Sequence, residues 1–175
     1  MIRSIRASIA IVTLWLVASC GGGDSSQPPS SKFKSYQGPP VTQVVVKKAD
    51  RKMYLVSGQS VLRSYEIDLG NQPVGPKQYE GDGRTPEGLY FIDRKNPRSR
   101  YHLSLGISYP SSTDVARAAM AGLRPGGDIM IHGLGPEGRA LNRPDWTAGC
   151  IAVSDEEIEE IYAMLGPGVP IFIYP

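Results

Sequence analysis

The chain has 175 residues, 19 Lys and Arg against 17 Asp and Glu, a net charge of +2 and 41% hydrophobic residues. That length fits a single domain, and charges this close to balance leave no strongly basic surface of the kind that binds nucleic acid. With two cysteines in all, a disulfide framework is excluded as the basis of the fold.

The chain opens with Arg3 and Arg6 and no acid, followed by an apolar run from Ala7 to Ala18. A basic start, a short apolar core and small residues at its end make a secretory signal peptide. The run falls short of the roughly 20 residues that a membrane-spanning helix needs. Its end, Val17-Ala18-Ser19-Cys20, resembles the bacterial lipobox, whose cysteine is acylated and becomes the first residue of the mature protein. Gly21 follows Cys20 directly and Asp24 stands further on, a pattern that in such lipoproteins favours the outer membrane over retention in the inner one. Expected from this are a lipoprotein signal over 1–19, a flexible tether over 20–40 from a lipidated Cys20, and a folded domain over 41–175 facing the periplasm. Loss of 1–19 takes away Arg3 and Arg6 and no acid, so the charge goes from +2 to 0.

From residue 41 the pattern is β. Thr42 to Lys47, Lys52 to Val56 and Val61 to Leu69 are short β-branched or loosely alternating runs, separated by turn residues around Asp50 and Gly58. They predict an antiparallel meander. Gly70 to Gly88 is rich in Gly and Pro and predicts a loop. Strands are predicted again at Gly88–Ile92 and Tyr101–Ser108, then a short helix over Thr113–Ala121 capped by Ser112 or Thr113 and ended by Gly122. Asp128 to His132 predicts a strand that delivers the histidine at its end, and 133–144 a loop. Ser154 and Glu157, three apart, form a capping box. Ile158, Ile161, Tyr162 and Leu165 then share one helical face, up to Gly166. Val169–Tyr174 closes the chain as a strand. The fold class is mainly β, with one or two short helices.

Cys20 aside, Cys150 is the one remaining thiol, and an exported thiol without a disulfide partner is a candidate reactive group. It lies in Thr147-Ala148-Gly149-Cys150-Ile151, fourteen residues (133–146) after His132-Gly133. A thiol needs a nearby base to act as a nucleophile near neutral pH, and imidazole is the usual one. One such pair is short of a zinc site, and no cofactor is implied.

This arrangement resembles the signature of the L,D-transpeptidase (YkuD-type) catalytic domain. That family has a histidine, some fourteen to seventeen residues, then Ser or Thr, any residue, Gly and Cys. Thr85-Pro86-Glu87-Gly88 before a strand and the closing Gly166-Pro167-Gly168-Val169-Pro170 are also similar to the family. Asp145-Trp146-Thr147 and Leu103 to Pro110 look like its YafK-like subgroup, which includes an enzyme that detaches a wall-anchored lipoprotein from murein. The resemblance implies a β-sandwich or barrel-like domain acting on peptidoglycan stem peptides. Cys150 would attack the carbonyl between diaminopimelate and D-alanine, forming a thioester, and His132 would take and return the proton. An amine acceptor, on a neighbouring stem or a lipoprotein, completes transfer; water completes hydrolysis.

Backbone N–H groups at Gly149 and Cys150 are the expected oxyanion donors. Thr147 and Gly133 are expected to support the turn and the histidine. Arg143, Trp146 and Tyr109 are candidate substrate contacts, together with Arg139; His102 is read as structural. The chain departs from many members of the family at Ala148 and Ala152, where a histidine and an Arg or Asn are common. Hydrolysis, and a non-catalytic murein-binding module, stand as alternatives to transfer.

Overall fold

The computed structural model describes residues 31–141 and 143–175; Cys20 and the signal segment lie outside them. The strands are β1 (Gln43–Lys47), β2 (Lys52–Ser57), β3 (Ser60–Glu66), β4 (Gly88–Asn96), β5 (Ser104–Ile107), β6 (Met130–His132), β7 (Ile151–Ala152) and β8 (Pro170–Tyr174). The helices are α1 (Ser112–Met120), α2 (Gly135–Leu141) and α3 (Asp155–Met164).

All eight strands belong to one sheet in the order β3-β2-β1-β8-β4-β5-β6-β7. The meander β1-β2-β3 is antiparallel as predicted. The last strand, β8, then inserts between β1, to which it is parallel, and β4, to which it is antiparallel. Strand β4 is longer than predicted because it serves two partners. Gly88 to Phe91 pair with β8, Ile92 to Asn96 with β5, and the register shifts between Ile92 and Arg94. A bulge of this kind bends a strand and increases its twist. The strand order therefore has two arms that share β4: β3-β2-β1-β8 on one side and β5-β6-β7 on the other.

Alternation explains the core. Val44 and Val46, Met53 and Leu55, Tyr90 and Ile92, and Ile171 and Ile173 each point to one face and are almost fully buried. Helix α3 adds Ile158, Ile161 and Met164 to the same core. Each such aliphatic chain removed from water contributes about 1.5–3 kcal/mol. The Ser154 hydroxyl caps α3 by accepting from the Glu157 amide, and the Glu157 carboxylate accepts in return from the Ser154 N–H, completing the predicted box. Helix α1 is capped one residue earlier than predicted, by Ser111, whose partner Asp114 forms a second box.

Three elements depart from the sequence expectation. The predicted strand Tyr101–Ser108 is shortened to β5, because His102 has a left-handed backbone (φ 72°) and sits on a turn. The loop 133–144 contains α2, hidden in the sequence by its Gly-Pro start. Ile151–Ala152 forms a strand parallel to β6. Of the segment 20–40, the described part carries contacts to the domain: Lys32 Nζ donates to Pro97 O at 2.7 Å, and Lys34 pairs with Glu159 at 3.2 Å.

Candidate active site

The parallel pair β6–β7 places the chemistry. Ile131 lies opposite Ile151, and both are fully buried on the core face. Side chains alternate along a strand, so His132 and Cys150, each one residue from its isoleucine, emerge on the other face. Both line one cavity of about 400 Å³, with Tyr101, Met130 and Asp128.

The imidazole is held by aromatic rings and one hydrogen bond. Tyr101 stacks on it at 4.5 Å between centroids and 25°, and Trp146 meets it edge-on at 5.6 Å. The Nδ1–H donates to the Gly133 carbonyl at 2.6 Å. That bond fixes the tautomer and leaves Nε2 with its lone pair available to the cavity. Gly133 is held in turn by its own N–H, which donates to Tyr101 O at 3.1 Å. A Cβ at Gly133 would lie 2.5 Å from Asp155 Oδ1 and 3.0 Å from Tyr101 O, so glycine is required there.

The cysteine is held by backbone. Segment 68–71 runs along the motif: Thr147 N–H donates to Leu69 O at 3.2 Å, Asn71 N–H to Thr147 O at 2.9 Å, and Asp68 and Ala152 exchange two bonds at 2.9 Å. Arg51 grips Asp145 at 2.7 Å just before the motif. The Thr147 hydroxyl, buried, accepts from Gly149 N–H at 3.1 Å and donates to Cys150 O at 2.8 Å. Of the two amides expected to donate to an oxyanion, that of Gly149 is engaged by the Thr147 hydroxyl in this structure. Gly149 has φ +133°, and a Cβ on it would lie 2.6 Å from Arg84 O.

The Thr-Pro-x-Gly segment supports the same turn from below. Thr85, fully buried, accepts from Gly70 N–H at 3.1 Å. Lys48 spends all three of its N–H groups, on Gly75 O (2.7 Å), Thr85 O (3.0 Å) and Glu87 (2.7 Å). Burial lowers its pKa, which the Glu87 carboxylate opposes.

Electrostatics leaves both partners neutral at rest. Burial holds the His132 imidazole below its ordinary value, against the opposite pull of the Gly133 carbonyl and the Asp155 charge. Burial pushes the Cys150 thiol up; the Met130 amide and the Lys77 ammonium oppose this, and the Asp128 charge adds to it. The thiol lies 3.6 Å from Asp128 O. A neutral thiol and a neutral imidazole that line one cavity suit general-base activation at the moment of attack. Among the described residues no three His, Cys, Asp or Glu side chains cluster as a metal ion would require.

The candidate substrate contacts fare less well. Arg143 and Trp146 line a separate cavity, of about 580 Å³, away from Cys150. Trp146 acts on the site through the imidazole it abuts. Arg139 is bound to Asp155. Tyr109 is core: it is 5% exposed, packs on Tyr90, and donates to Pro125 O at 3.0 Å. His102 bonds Glu159 at 2.8 Å, the structural role expected of it. The sequence reading missed Arg98 and Arg100, which line the cavity holding Cys150, Tyr101 beneath the imidazole, and Lys77. No local signal marks them, since they reach the site from strand ends and loops distant in the chain.

Comparison with known proteins agrees with this geometry. Residues 41–173 match the model of the YkuD L,D-transpeptidase catalytic domain. The chain is 30% identical over 189 residues to "Putative L,D-transpeptidase YafK" of Escherichia coli K12, covering 99% of this chain and 71% of that one. Among solved structures it is similar to the helical cell shape determining protein Pgp2 of Campylobacter jejuni, at 28% identity and TM-score 0.58, covering 79% of this chain and 49% of that one. Bd1075 of Bdellovibrio bacteriovorus shares the fold at 23% identity and TM-score 0.52, covering 81% of this chain and 50% of that one. The chain thus spans about half the length of these solved relatives. A buried histidine, a cysteine on a glycine turn lining the same cavity and a family model matched over residues 41–173 lead to one statement: the chain belongs to the L,D-transpeptidase (YkuD) catalytic domain family.

Proposed function

We propose that the chain is a cysteine acyltransferase acting on peptidoglycan stem peptides, with Cys150 as nucleophile and His132 as proton carrier. The observation that carries this is the shared cavity of the two side chains, with Nδ1 of His132 tied to Gly133 and Nε2 left for the thiol. In the first step the thiol proton passes to Nε2 while sulfur attacks the carbonyl between diaminopimelate and D-alanine. The tetrahedral intermediate collapses, the C–N bond breaks, and the imidazolium gives its proton to the departing amine of D-alanine. In the second step an acceptor amine loses a proton to His132 and takes the acyl group, restoring the thiol. Transfer to a neighbouring stem crosslinks the wall, and transfer to a lipoprotein lysine anchors that protein.

The test is digestion of isolated sacculi followed by muropeptide analysis. New 3→3 dimers, absent with Cys150→Ala, support transfer. Loss of existing 3→3 dimers, or freed lipoprotein, replaces transfer with hydrolysis at the same thioester. A Cys150→Ala form that fully restores a deletion phenotype overturns both, in favour of a wall-binding module. The lipid anchor at Cys20, and with it a position on the outer membrane facing the periplasm, is part of the same proposal. Incorporation of labelled palmitate into the wild-type chain but not into Cys20→Ala would support it, and no incorporation would remove it.

A further inference from the structure

The loop between β4 and β5, residues 97–102, forms one wall of the catalytic cavity through Arg98, Ser99, Arg100 and Tyr101. Tyr101 touches the base twice over: its ring stacks on the His132 imidazole, and its carbonyl accepts the N–H of Gly133, whose own carbonyl binds Nδ1 of His132. The loop has little support of its own. Arg98 N–H donates to Asn96 Oδ1 at 2.9 Å, and Tyr101 N–H to the Ser99 hydroxyl at 3.2 Å. His102, the neighbour of Tyr101, has a left-handed backbone (φ 72°). A residue with a side chain keeps that conformation only where its surroundings hold it there.

Much of that hold comes from outside the loop, from the segment that leads into the domain. Lys32, half-buried, donates from Nζ to Pro97 O at 2.7 Å and to His102 O at 3.2 Å. One ammonium thus joins the first and last carbonyls of the loop. The His102 ring bonds Glu159 at 2.8 Å. Glu159 pairs in turn with Lys34 at 3.2 Å, and Lys34 also donates to Glu156 O at 3.0 Å. Between the two lysines, Phe33 lies against Tyr162 at 6.2 Å between centroids. Residues 32–34 therefore grip the backbone of the strained turn through one lysine and the partner of its side chain through the other.

We propose that Lys32 is a positioning residue for the reaction: it clips the loop 97–102 shut and, through Tyr101, keeps the His132 imidazole in place for proton transfer. The path is short and every link is a contact given above, from Lys32 to His102 O, along one peptide bond to Tyr101, and from Tyr101 to His132 both directly and by way of Gly133. Opening the clip frees the stacked ring and the Gly133 acceptor together, because both hang on Tyr101. The segment before the domain is then part of the support of the catalytic base. This rests on the acyltransferase reading above and adds to it a residue that touches neither substrate nor cavity.

Two measurements on the full chain test this, each made on the wild type, Lys32→Met and Lys32→Arg. One is first-turnover release of D-alanine from a synthetic tetrapeptide that ends in diaminopimelate and D-alanine. The other is amide hydrogen exchange at Gly133, beside the base, and at Leu55, in β2, which reports the opening of the domain as a whole. Lys32→Met is expected to release D-alanine roughly fivefold to tenfold more slowly, between the effect of an exposed charge contact and that of a hydrogen bond to a charged group. Exchange at Gly133 should quicken by a similar factor while Leu55 keeps its wild-type rate. Lys32→Arg, which keeps the charge and can still donate to two carbonyls, should restore both. Wild-type rates of release and exchange in Lys32→Met overturn the inference, and so does a change in one without the other. Exchange that quickens equally at Gly133 and Leu55 also overturns it, since that is how a lysine that merely stabilises the fold would behave. If the wild type itself releases no D-alanine, the acyltransferase reading falls and takes this inference with it; that outcome is distinct from failure of the clip, in which the wild type turns over and Lys32→Met matches it.

Discussion

The two halves of the catalytic pair are held by different means. His132 is positioned by side chains, with Tyr101 on its face, Trp146 on its edge and a single hydrogen bond to Gly133. Cys150 is positioned by main chain: segment 68–71 alongside, a glycine turn with no room for a Cβ, and a threonine hydroxyl that bonds twice within the turn. A side-chain wall degrades by degrees as atoms are trimmed, because packing contacts are many and individually weak. A backbone clamp fails at once, because each strained φ or steric clash is over-determined by its neighbours. The base should therefore be tunable and the nucleophile turn brittle.

The largest effect comes from removing the chemistry on either side. Cys150→Ala should abolish turnover, a loss on the order of a million-fold for a nucleophile that acts as a unit with its base. His132→Gln should come close to it, and the double variant should be no worse than Cys150→Ala, when D-alanine release is followed. A double variant markedly slower than either single one would mean that the pair does not act together.

Breaking the clamp comes next. Gly149→Ala forces a Cβ to within 2.6 Å of Arg84 O at φ +133°. It should cost about 1–3 kcal/mol in backbone strain alone, read as a lower thermal midpoint, and should remove activity as well. Thr147→Val is expected to be milder for the fold. It leaves the Gly149 amide and the Cys150 carbonyl without their partner, at about 1–3 kcal/mol for a buried polar group left unsatisfied. Thr147→Ser, which keeps the hydroxyl, should recover most of that stability in a denaturant titration.

The imidazole wall should show the graded response. Trp146→Phe removes ring area but no hydrogen bond, since the indole N–H has no partner among the described residues. Loss of its aromatic contact is expected to cost about 0.5–1.5 kcal/mol, with kcat reduced about tenfold or less and the turn intact. Equal losses for Trp146→Phe and Gly149→Ala would erase the distinction drawn here.

The smallest effect is a shift along the pH axis. Burial lowers the pKa of His132, so the base stays neutral and competent at pH values below the usual imidazole value of about 6.5. The acid limb of kcat/KM should lie below that value. Trp146→Ala, by admitting water, should move the limb up toward it. The same lowering has a consequence for stability. The unfolded chain binds a proton at His132 that the folded chain refuses, so stability rises with pH through this range and declines as pH falls below about 6.5. An acid limb above that value would contradict the neutral, buried imidazole.

Much of this was written locally. The capping box at Ser154 and Glu157, the alternation that buries Val44, Val46, Met53 and Leu55, and the Thr-x-Gly-Cys turn each depend on residues a few places apart, and the chain carries those signals wherever it goes. The identities of nucleophile and base were legible for the same reason, because a lone thiol and a histidine at a family spacing remain visible without a fold. What the sequence alone could not supply was anything produced by distant segments meeting. Strand β8 lies between β1 and β4 because two apolar faces, formed more than 70 residues from it, leave that gap to be paired. Ile151–Ala152 is a strand because β6 offers it an edge on one side and Asp68 pairs with it on the other. Tyr109 is buried in the core and Arg143 lines a cavity apart from that of Cys150, whereas Lys77 is buried beside Asp82 in a cavity shared with Cys150. Propensity and capping are short-range free energies and can be read along the chain; burial and cavity shape are properties of the collapsed molecule, set by residues the sequence keeps apart.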